Sequence, residues 1–196
     1  MIPQSHLISE DIVFDRALAA LTGLAIGDAL GMPSQTLPPQ DIKTHYGTIT
    51  GFVAPFPDHP VSHGLTAGQV TDDTEQALIL AARLIEGGGD IDERQLAKDF
   101  LAWEENVKAR GLRDLLGPST KLALDAILAG QPLSETGKAG TTNGAAMRIT
   151  PIGIATPIDH LEAFVDKVEM ACRMTHNTGE AIASTAVKVV IVSAAM

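Results

Sequence analysis

Two adjacent aspartates, Asp72 and Asp73, are the residues best suited to metal chemistry. They follow Thr71, and paired carboxylates beside a hydroxyl group supply hard oxygen donors without sulfur, as Mg²⁺ and Mn²⁺ prefer. The same run also fits the start of a helix, because Asp72 and Glu75 have the spacing of a capping box. On spacing alone the helix cap is the commoner outcome. The glycine-containing stretch 64–69 favours a metal site, since glycine lets a ligand approach the backbone closely.

A third acidic residue, Asp28, lies in line with a stripe of apolar side chains at helical spacing. The other members of this stripe are Phe14, Leu18, Leu21 and Ala25. A carboxylate on a buried helix face needs hydrogen-bond partners. We expect Asp28 either to bond the backbone of a neighbouring loop as a structural acid or to lie beside a metal site without binding the ion.

A turn-forming pair, Asn143 and Gly144, precedes small residues and Arg148. An ordinary turn is one interpretation. The other is a sugar-phosphate site, in which a ribose or phosphate lies against backbone N–H groups and Arg148 balances the charge. His176 lies between two predicted helices, and it is either a surface or capping residue or a partner for a sugar hydroxyl.

The sequence predicts that helices position these residues. Alanine and leucine, which favour helices, are abundant, and the alternating pattern typical of strands is scarce. The predicted helices run over about 9–30, 71–86, 90–107, 118–128, 159–172 and 178–196. The segment 33–70 is expected to be irregular, with a weak strand over 48–53. Trp103 and Cys172 lie on apolar helix faces, so we expect both in the core.

The composition is that of a folded, acidic protein. Of the 196 residues 45% are hydrophobic, and 14 basic against 24 acidic residues give a net charge of −10. We therefore predict a single domain over 1–196 with no nucleic-acid partner. The one cysteine excludes an internal disulfide and a cysteine-based zinc site. No segment has the pattern of a signal peptide or a membrane helix, so we expect a cytoplasmic protein without a membrane partner.

Four blocks of the sequence, in this order, resemble the ADP-ribosylglycohydrolase family. They are Gly23–Gly31, Thr71–Thr74, Asn143–Arg148 with Pro151–Gly153, and Thr175–His176. The resemblance implies an all-α fold, in which an orthogonal bundle of helices surrounds two metal ions, either Mg²⁺ or Mn²⁺.

The resemblance also implies roles for individual residues. It makes Thr71, Asp72 and Asp73 metal ligands, and it makes the two aspartates catalytic through the water that the metals bind. It places Asn143, Gly144 and His176 at the ribose and diphosphate site, and in the mechanism that it implies either Arg148 or backbone amides bind the phosphate.

Two features depart from the family pattern. Gln35 stands where many members carry a glutamate near the metal, and a glutamine can coordinate or hydrogen-bond but cannot act as a base. Family members also continue by well over a hundred residues and supply a later acidic block, whereas segment 181–196 is an apolar helix without a capping signal. We therefore expect an incomplete domain with half of the metal shell, little activity by itself, and self-association through this last helix.

Together these features predict a hydrolase of ribosyl glycosidic bonds. The expected substrate is an ADP-ribosylated protein or a small ribosyl compound, with water activated at the two metal ions. One alternative is a non-catalytic family member that binds a ligand or has a structural role, which Gln35 and the missing later acidic block favour. Another is a helical interaction module in which residues 71–75 only cap a helix. A divalent ion at Asp72 and Asp73 would distinguish these hypotheses.

Overall fold

The computed structural model describes residues 9–112, 115–159 and 161–196, and these residues form the predicted all-α fold. The helices are α1 (Glu10–Gly31), α2 (Pro39–Tyr46), α3 (Asp72–Glu86), α4 (Glu93–Ala109), α5 (Pro118–Leu128), α6 (Leu133–Thr136), α7 (Gly144–Arg148), α8 (Thr150–Ala155), α9 (Leu161–Cys172) and α10 (Gly179–Ala195). A 3₁₀ turn, Met32–Ser34, follows α1. None of the described residues forms a strand, so the weak strand predicted over 48–53 is wrong. A lone strand has no partner for its backbone hydrogen bonds.

The long helices follow the predicted boundaries to within a few residues, and three of them begin at a side-chain cap. The side chains of Ser9, Asp92 and Thr178 accept hydrogen bonds from backbone N–H groups in the first turns of α1, α4 and α10. The sequence pattern does not predict the short helices α2, α6, α7 and α8. Each of them has 4 to 8 residues, too few to show a helical period.

The core lies where α3, α4, α5, α8, α9 and α10 meet. Its buried side chains include Leu80, Leu96, Phe100, Leu124, Ile149, Ile152, Val168 and Val189. The short helices α7 and α8 are central, since both pack against α3 and α10. Cys172 is buried in this core and Trp103 packs partly buried against it, as predicted.

Helices α1 and α10 both expose apolar side chains. The prediction that the apolar stripe of α1 is buried is wrong for its first half, because Phe14 and Leu18 are 66% and 53% exposed. The buried residue of this helix is Ala29. Val187 and Ile191 of α10 are also exposed. Self-association through α10 stays a prediction.

Within the described residues, no helix combines the length and apolar character needed to cross a membrane.

Candidate functional site

One cavity collects candidate residues from distant parts of the sequence. It has a volume of about 430 Å³ and lies between α1, the turn that follows it, the start of α3 and the start of α7. Its polar lining residues are Asp28, Gln35, Thr71, Asp73 and Asn143. Because α3 packs against both α1 and α7, the tertiary fold assembles these residues into a single polar site.

A row of glycines forms the wall of this cavity along α1. Gly23, Gly27 and Gly31 recur every fourth residue, so they lie on one face of the helix. A Cβ atom added to any of them would meet no atom within 4 Å. The glycines therefore leave open volume for a ligand instead of allowing another helix to pack closely. Their four-residue spacing is the sequence signal that identifies this glycine wall.

Asp28 of α1 caps the N-terminus of α3. Its Oδ2 accepts hydrogen bonds from the Thr71 N–H at 2.8 Å, the Thr74 N–H at 3.2 Å and the Thr74 hydroxyl at 2.6 Å. Its Oδ1 accepts from the Thr71 hydroxyl at 2.6 Å. This arrangement confirms that Asp28 bonds the backbone of a neighbouring segment, and it fixes α1 to the first turn of α3.

The capping box predicted within residues 71–75 is wrong. Thr71 is the N-cap residue, but its side chain accepts no capping hydrogen bond. Glu75 instead accepts a hydrogen bond from the indole N–H of Trp103. Because Asp28 satisfies N–H groups at the start of α3, the two adjacent aspartates are not required as caps.

Asp72 and Asp73 form an acidic pair at the start of α3. Asp73 lines the cavity, whereas Asp72 is only 8% exposed and is not a lining residue. Burial and the charge of Asp73 raise the pKa of Asp72 to about 7. Burial and the charge of Asp28 raise the pKa of Asp73, and the charge of Lys188 opposes that shift. A cation beside this pair would relieve the repulsion between the carboxylates.

Lys188 of α10 is a charged residue that acts on the acidic pair and that the motifs do not identify. Its ammonium group donates a hydrogen bond to the Met147 carbonyl at 3.3 Å. Burial lowers the pKa of Lys188, and the charge of Asp73 raises it. The positive charge of Lys188 therefore favours the ionised form of Asp73. Lys188 is the single charged residue in segment 181–196, and this isolation is the signal that the sequence offers.

The oxygen donors at the start of α3 are of the type that a hard cation prefers, but they are too few to complete its coordination shell. Thr71, Asp72 and Asp73 offer one hydroxyl and two carboxylates, which suit Mg²⁺ or Mn²⁺. Across the described ranges, no three His, Cys, Asp or Glu side chains are grouped so that they could hold a metal ion. These residues fit one ion that takes its other ligands from water or from further groups, and they do not by themselves form a two-ion centre.

Arg148 lies in the core and not at the cavity, which corrects its predicted role as a phosphate partner. It is fully buried and donates to the Gln76 side chain at 3.0 Å and to the Thr175 hydroxyl at 2.6 Å. Its guanidinium carbon lies 4.8 Å from the centre of the Phe100 ring. Burial lowers its pKa to about 10, so it keeps its charge at neutral pH. The charge therefore organises the core around α7.

Gly144, which follows the lining residue Asn143, packs against His176. A Cβ atom on Gly144 would lie 2.6 Å from Cε1 of His176, so the glycine is required by this contact. His176 is fully buried, and its ring nitrogens lie 3.0 Å and 2.9 Å from the hydroxyls of Thr142 and Thr175. Burial lowers the pKa of His176 to about 4, which keeps the ring neutral. Of the predicted substrate-binding residues, only Asn143 lines the cavity.

The chain belongs to the ADP-ribosylglycohydrolase family, whose sequence profile matches residues 9–196. It is 38% identical to the protein YegU of Escherichia coli (strain K12) over 88% of this chain and 52% of that protein. It is 34% identical to the ADP-ribosyl-dinitrogen reductase glycohydrolase of Rhodospirillum rubrum over 84% of this chain and 52% of that protein.

A solved structure shows the same fold. It is described as an ADP-ribosylglycohydrolase-related protein complex and matches with a TM-score of 0.71 and 31% identity, over 94% of this chain and 58% of that chain. The chain spans about half the length of the curated relatives it matches.

Proposed function

We propose that this chain forms the ribose-binding part of an ADP-ribosylglycohydrolase site and that the whole protein hydrolyses the glycosidic bond of an ADP-ribosylated protein. The observation that carries the proposal is the cavity in which Asp28, Thr71 and Asp73 meet Asn143 beside the glycine wall. Its volume of about 430 Å³ lies in the range of small-molecule sites. The relative from Rhodospirillum rubrum, whose name gives an ADP-ribosylated protein as its substrate, supports this choice.

In this proposal the sugar lies along the glycine wall of α1. Without side chains at Gly23, Gly27 and Gly31, a sugar ring can approach the helix backbone closely. The amide groups of Asn143 and Gln35 are hydrogen-bond partners for its hydroxyls. Gly144 and His176 act indirectly, by supporting the backbone beside Asn143.

Thr71, Asp72 and Asp73 would hold the divalent ion. Such an ion, when bound, lowers the pKa of a water molecule and orients it. In the overall reaction the water oxygen bonds to the anomeric carbon, the glycosidic bond breaks, and the leaving group takes a proton. Asp28 keeps Thr71 and the first turn of α3 in place, so that the oxygen donors stay beside the sugar.

The experiment measures binding of ADP-ribose and turnover of an arginine-ADP-ribosylated protein. Each measurement is made with Mg²⁺, with Mn²⁺ and with EDTA. We expect metal-dependent binding that Asp73→Asn abolishes, whereas Asp125→Asn on the exposed side of α5 leaves it unchanged. Release of ADP-ribose supports the hydrolase. The same assay on a protein of the relatives' full length tests whether the turnover requires more than residues 1–196.

The non-catalytic family member remains the second candidate function. Two observations favour it, namely Gln35 in the cavity and the small number of grouped acidic ligands among the described residues. Binding of ADP-ribose without release, in both lengths of protein, would support this candidate. Absence of any binding would contradict both.

A further inference from the structure

The turn after α1 holds one cavity side chain in a defined orientation. Gln35 Nε2 donates a hydrogen bond to the Ser62 hydroxyl at 2.6 Å, and the Ser62 hydroxyl donates to the Met32 carbonyl at 2.8 Å. A serine hydroxyl has one hydrogen to donate. Because that hydrogen goes to Met32, Ser62 can only accept from Gln35. The Gln35 side chain must therefore present its NH₂ group, and not its carbonyl oxygen, to Ser62.

The carbonyl oxygen of Gln35 is consequently directed away from Ser62. Gln35 is half-buried and lines the cavity. No donor among the described residues makes a hydrogen bond to its Oε1. This oxygen is also not fully buried. An oxygen that is unpaired but accessible, on a side chain that lines the cavity, is an acceptor for a ligand.

Ser62 is itself fixed by a buried histidine. The Nδ1 atom of His59 accepts hydrogen bonds from the Ser62 N–H at 2.8 Å and from the Val61 N–H at 3.1 Å. His59 and Ser62 are 1% and 0% exposed. A ring nitrogen that accepts two N–H groups carries no proton, so the histidine acts as a neutral clamp on the loop around Ser62.

The backbone beside Gln35 is held in an unusual conformation. Thr36 has a φ angle of 62°, and it is the one non-glycine residue with positive φ among the described residues. A β-branched residue rarely adopts this region. The Thr36 side chain is exposed, so its own packing does not explain the strain. Such strain persists only where the surrounding structure fixes the conformation.

We propose that Ser62, held by His59, is a positioning residue that makes Gln35 an acceptor for a ligand hydroxyl group in the cavity. This inference rests on the proposed function and places the ribosyl group, not the diphosphate, at the Gln35 end of the cavity. A fully ionised phosphate has no hydrogen to donate to a carbonyl oxygen, whereas a sugar hydroxyl has one. The neutral amide also adds no further negative charge beside Asp28 and Asp73.

The positioning role is tested without a ligand by NMR of the Gln35 side-chain NH₂ group. In the wild type we expect a rigid NH₂ group with slow hydrogen exchange. Ser62→Ala should make it mobile. The control Thr136→Val removes another buried hydroxyl that donates to a backbone carbonyl, at Met174, and should leave the Gln35 signals unchanged. Unchanged Gln35 signals in a folded Ser62→Ala protein would overturn the positioning role.

The ligand is tested by calorimetric titration of ADP-ribose in the presence of Mg²⁺. Ser62→Ala and Gln35→Met should each weaken binding by about fivefold, and the double variant should be no weaker than Gln35→Met alone, because Ser62 acts through Gln35. Losses that multiply in the double variant would overturn the inference. A wild type with a rigid Gln35 that does not bind ADP-ribose would overturn the proposed function and the ligand assignment together.

Discussion

Asp28 and Thr71 are joined by two hydrogen bonds, since the Thr71 N–H donates to one carboxylate oxygen at 2.8 Å and its hydroxyl donates to the other at 2.6 Å. The two residues are 43 positions apart. This connection ties the glycine wall of α1 to the acidic pair at the start of α3, so that both contribute to one cavity.

Replacing Asp28 by alanine should reduce the free energy of unfolding by about 1–3 kcal/mol, because it leaves the N–H groups of Thr71 and Thr74 without their partner. Urea denaturation measures the change. Asp15→Ala, on an exposed part of the same helix, is the control and should have little effect. Equal stability of the two variants would show that Asp28 is not a structural cap.

Alanine at Gly27 should raise the free energy of unfolding by up to about 1 kcal/mol, since the added methyl group meets no atom and alanine favours a helix. Gly153→Ala should lower the free energy of unfolding, because its methyl group would lie 2.6 Å from Cβ of Val192. Thermal unfolding distinguishes the two.

A larger side chain at Gly27 tests the cavity directly. Gly27→Phe should prevent binding of ADP-ribose while the protein remains folded. Ala19→Phe, at an exposed position of the same helix, should bind as the wild type does. Normal binding by Gly27→Phe would place the ligand elsewhere.

His176 should make the protein sensitive to acid. Burial lowers its pKa from 6.5 to about 4, so between these values the unfolded chain binds more protons than the folded one. The stabilising contribution of the neutral ring is complete above about pH 6.5. As the pH falls toward 4 this contribution is lost, and the free energy of unfolding decreases by about 3 kcal/mol. His176→Asn should flatten this dependence relative to the wild type, as urea denaturation at a series of pH values would show. Parallel curves for the two proteins would contradict the prediction.

Asp72 should carry a stability cost in the absence of metal. Its pKa is raised to about 7, so the folded state loses stability as the pH rises from about 4 to 7 and bears the full cost above that range. At pH 8 with EDTA, Asp72→Asn should therefore increase the free energy of unfolding by about 1–3 kcal/mol.

The metal-induced stabilisation should depend on the acidic pair, Asp72 and Asp73. Mn²⁺ should raise the Tm of the wild type, and the double variant Asp72→Ala, Asp73→Ala should lose this rise. Asp125→Asn serves as the control for a surface carboxylate. An undiminished rise in the double variant would place the ion at other residues.

Lys188→Gln should strengthen Mn²⁺ binding, because it removes a positive charge that acts on Asp73. The expected change is several-fold in Kd and should shrink at high ionic strength. Calorimetric titration at two salt concentrations measures it. Weaker binding by the variant would show instead that Lys188 supports the ligand geometry.

The sequence by itself determines the elements whose signals are local. The predicted helix starts lie within a few residues of the observed ones, because a cap such as Ser9, Asp92 or Thr178 bonds a backbone N–H only two or three residues away. The capping box that the pattern of Asp90 and Glu93 predicts is wrong, since the cap of α4 is Asp92. The helical class follows in the same way from composition and periodicity. The four motif blocks also suffice to predict the family that the comparisons show.

Tertiary structure alone decides which side of each element faces the site. The same local pattern is compatible with the buried Arg148 and with an exposed one, and the position of α7 between α3 and α10 decides between them. Gln35 and Ser62 are 27 residues apart, and no short-range pattern connects them. The physical reason is that burial, pKa and hydrogen-bond partners depend on which distant helices pack over a residue, and a local sequence pattern does not contain that information.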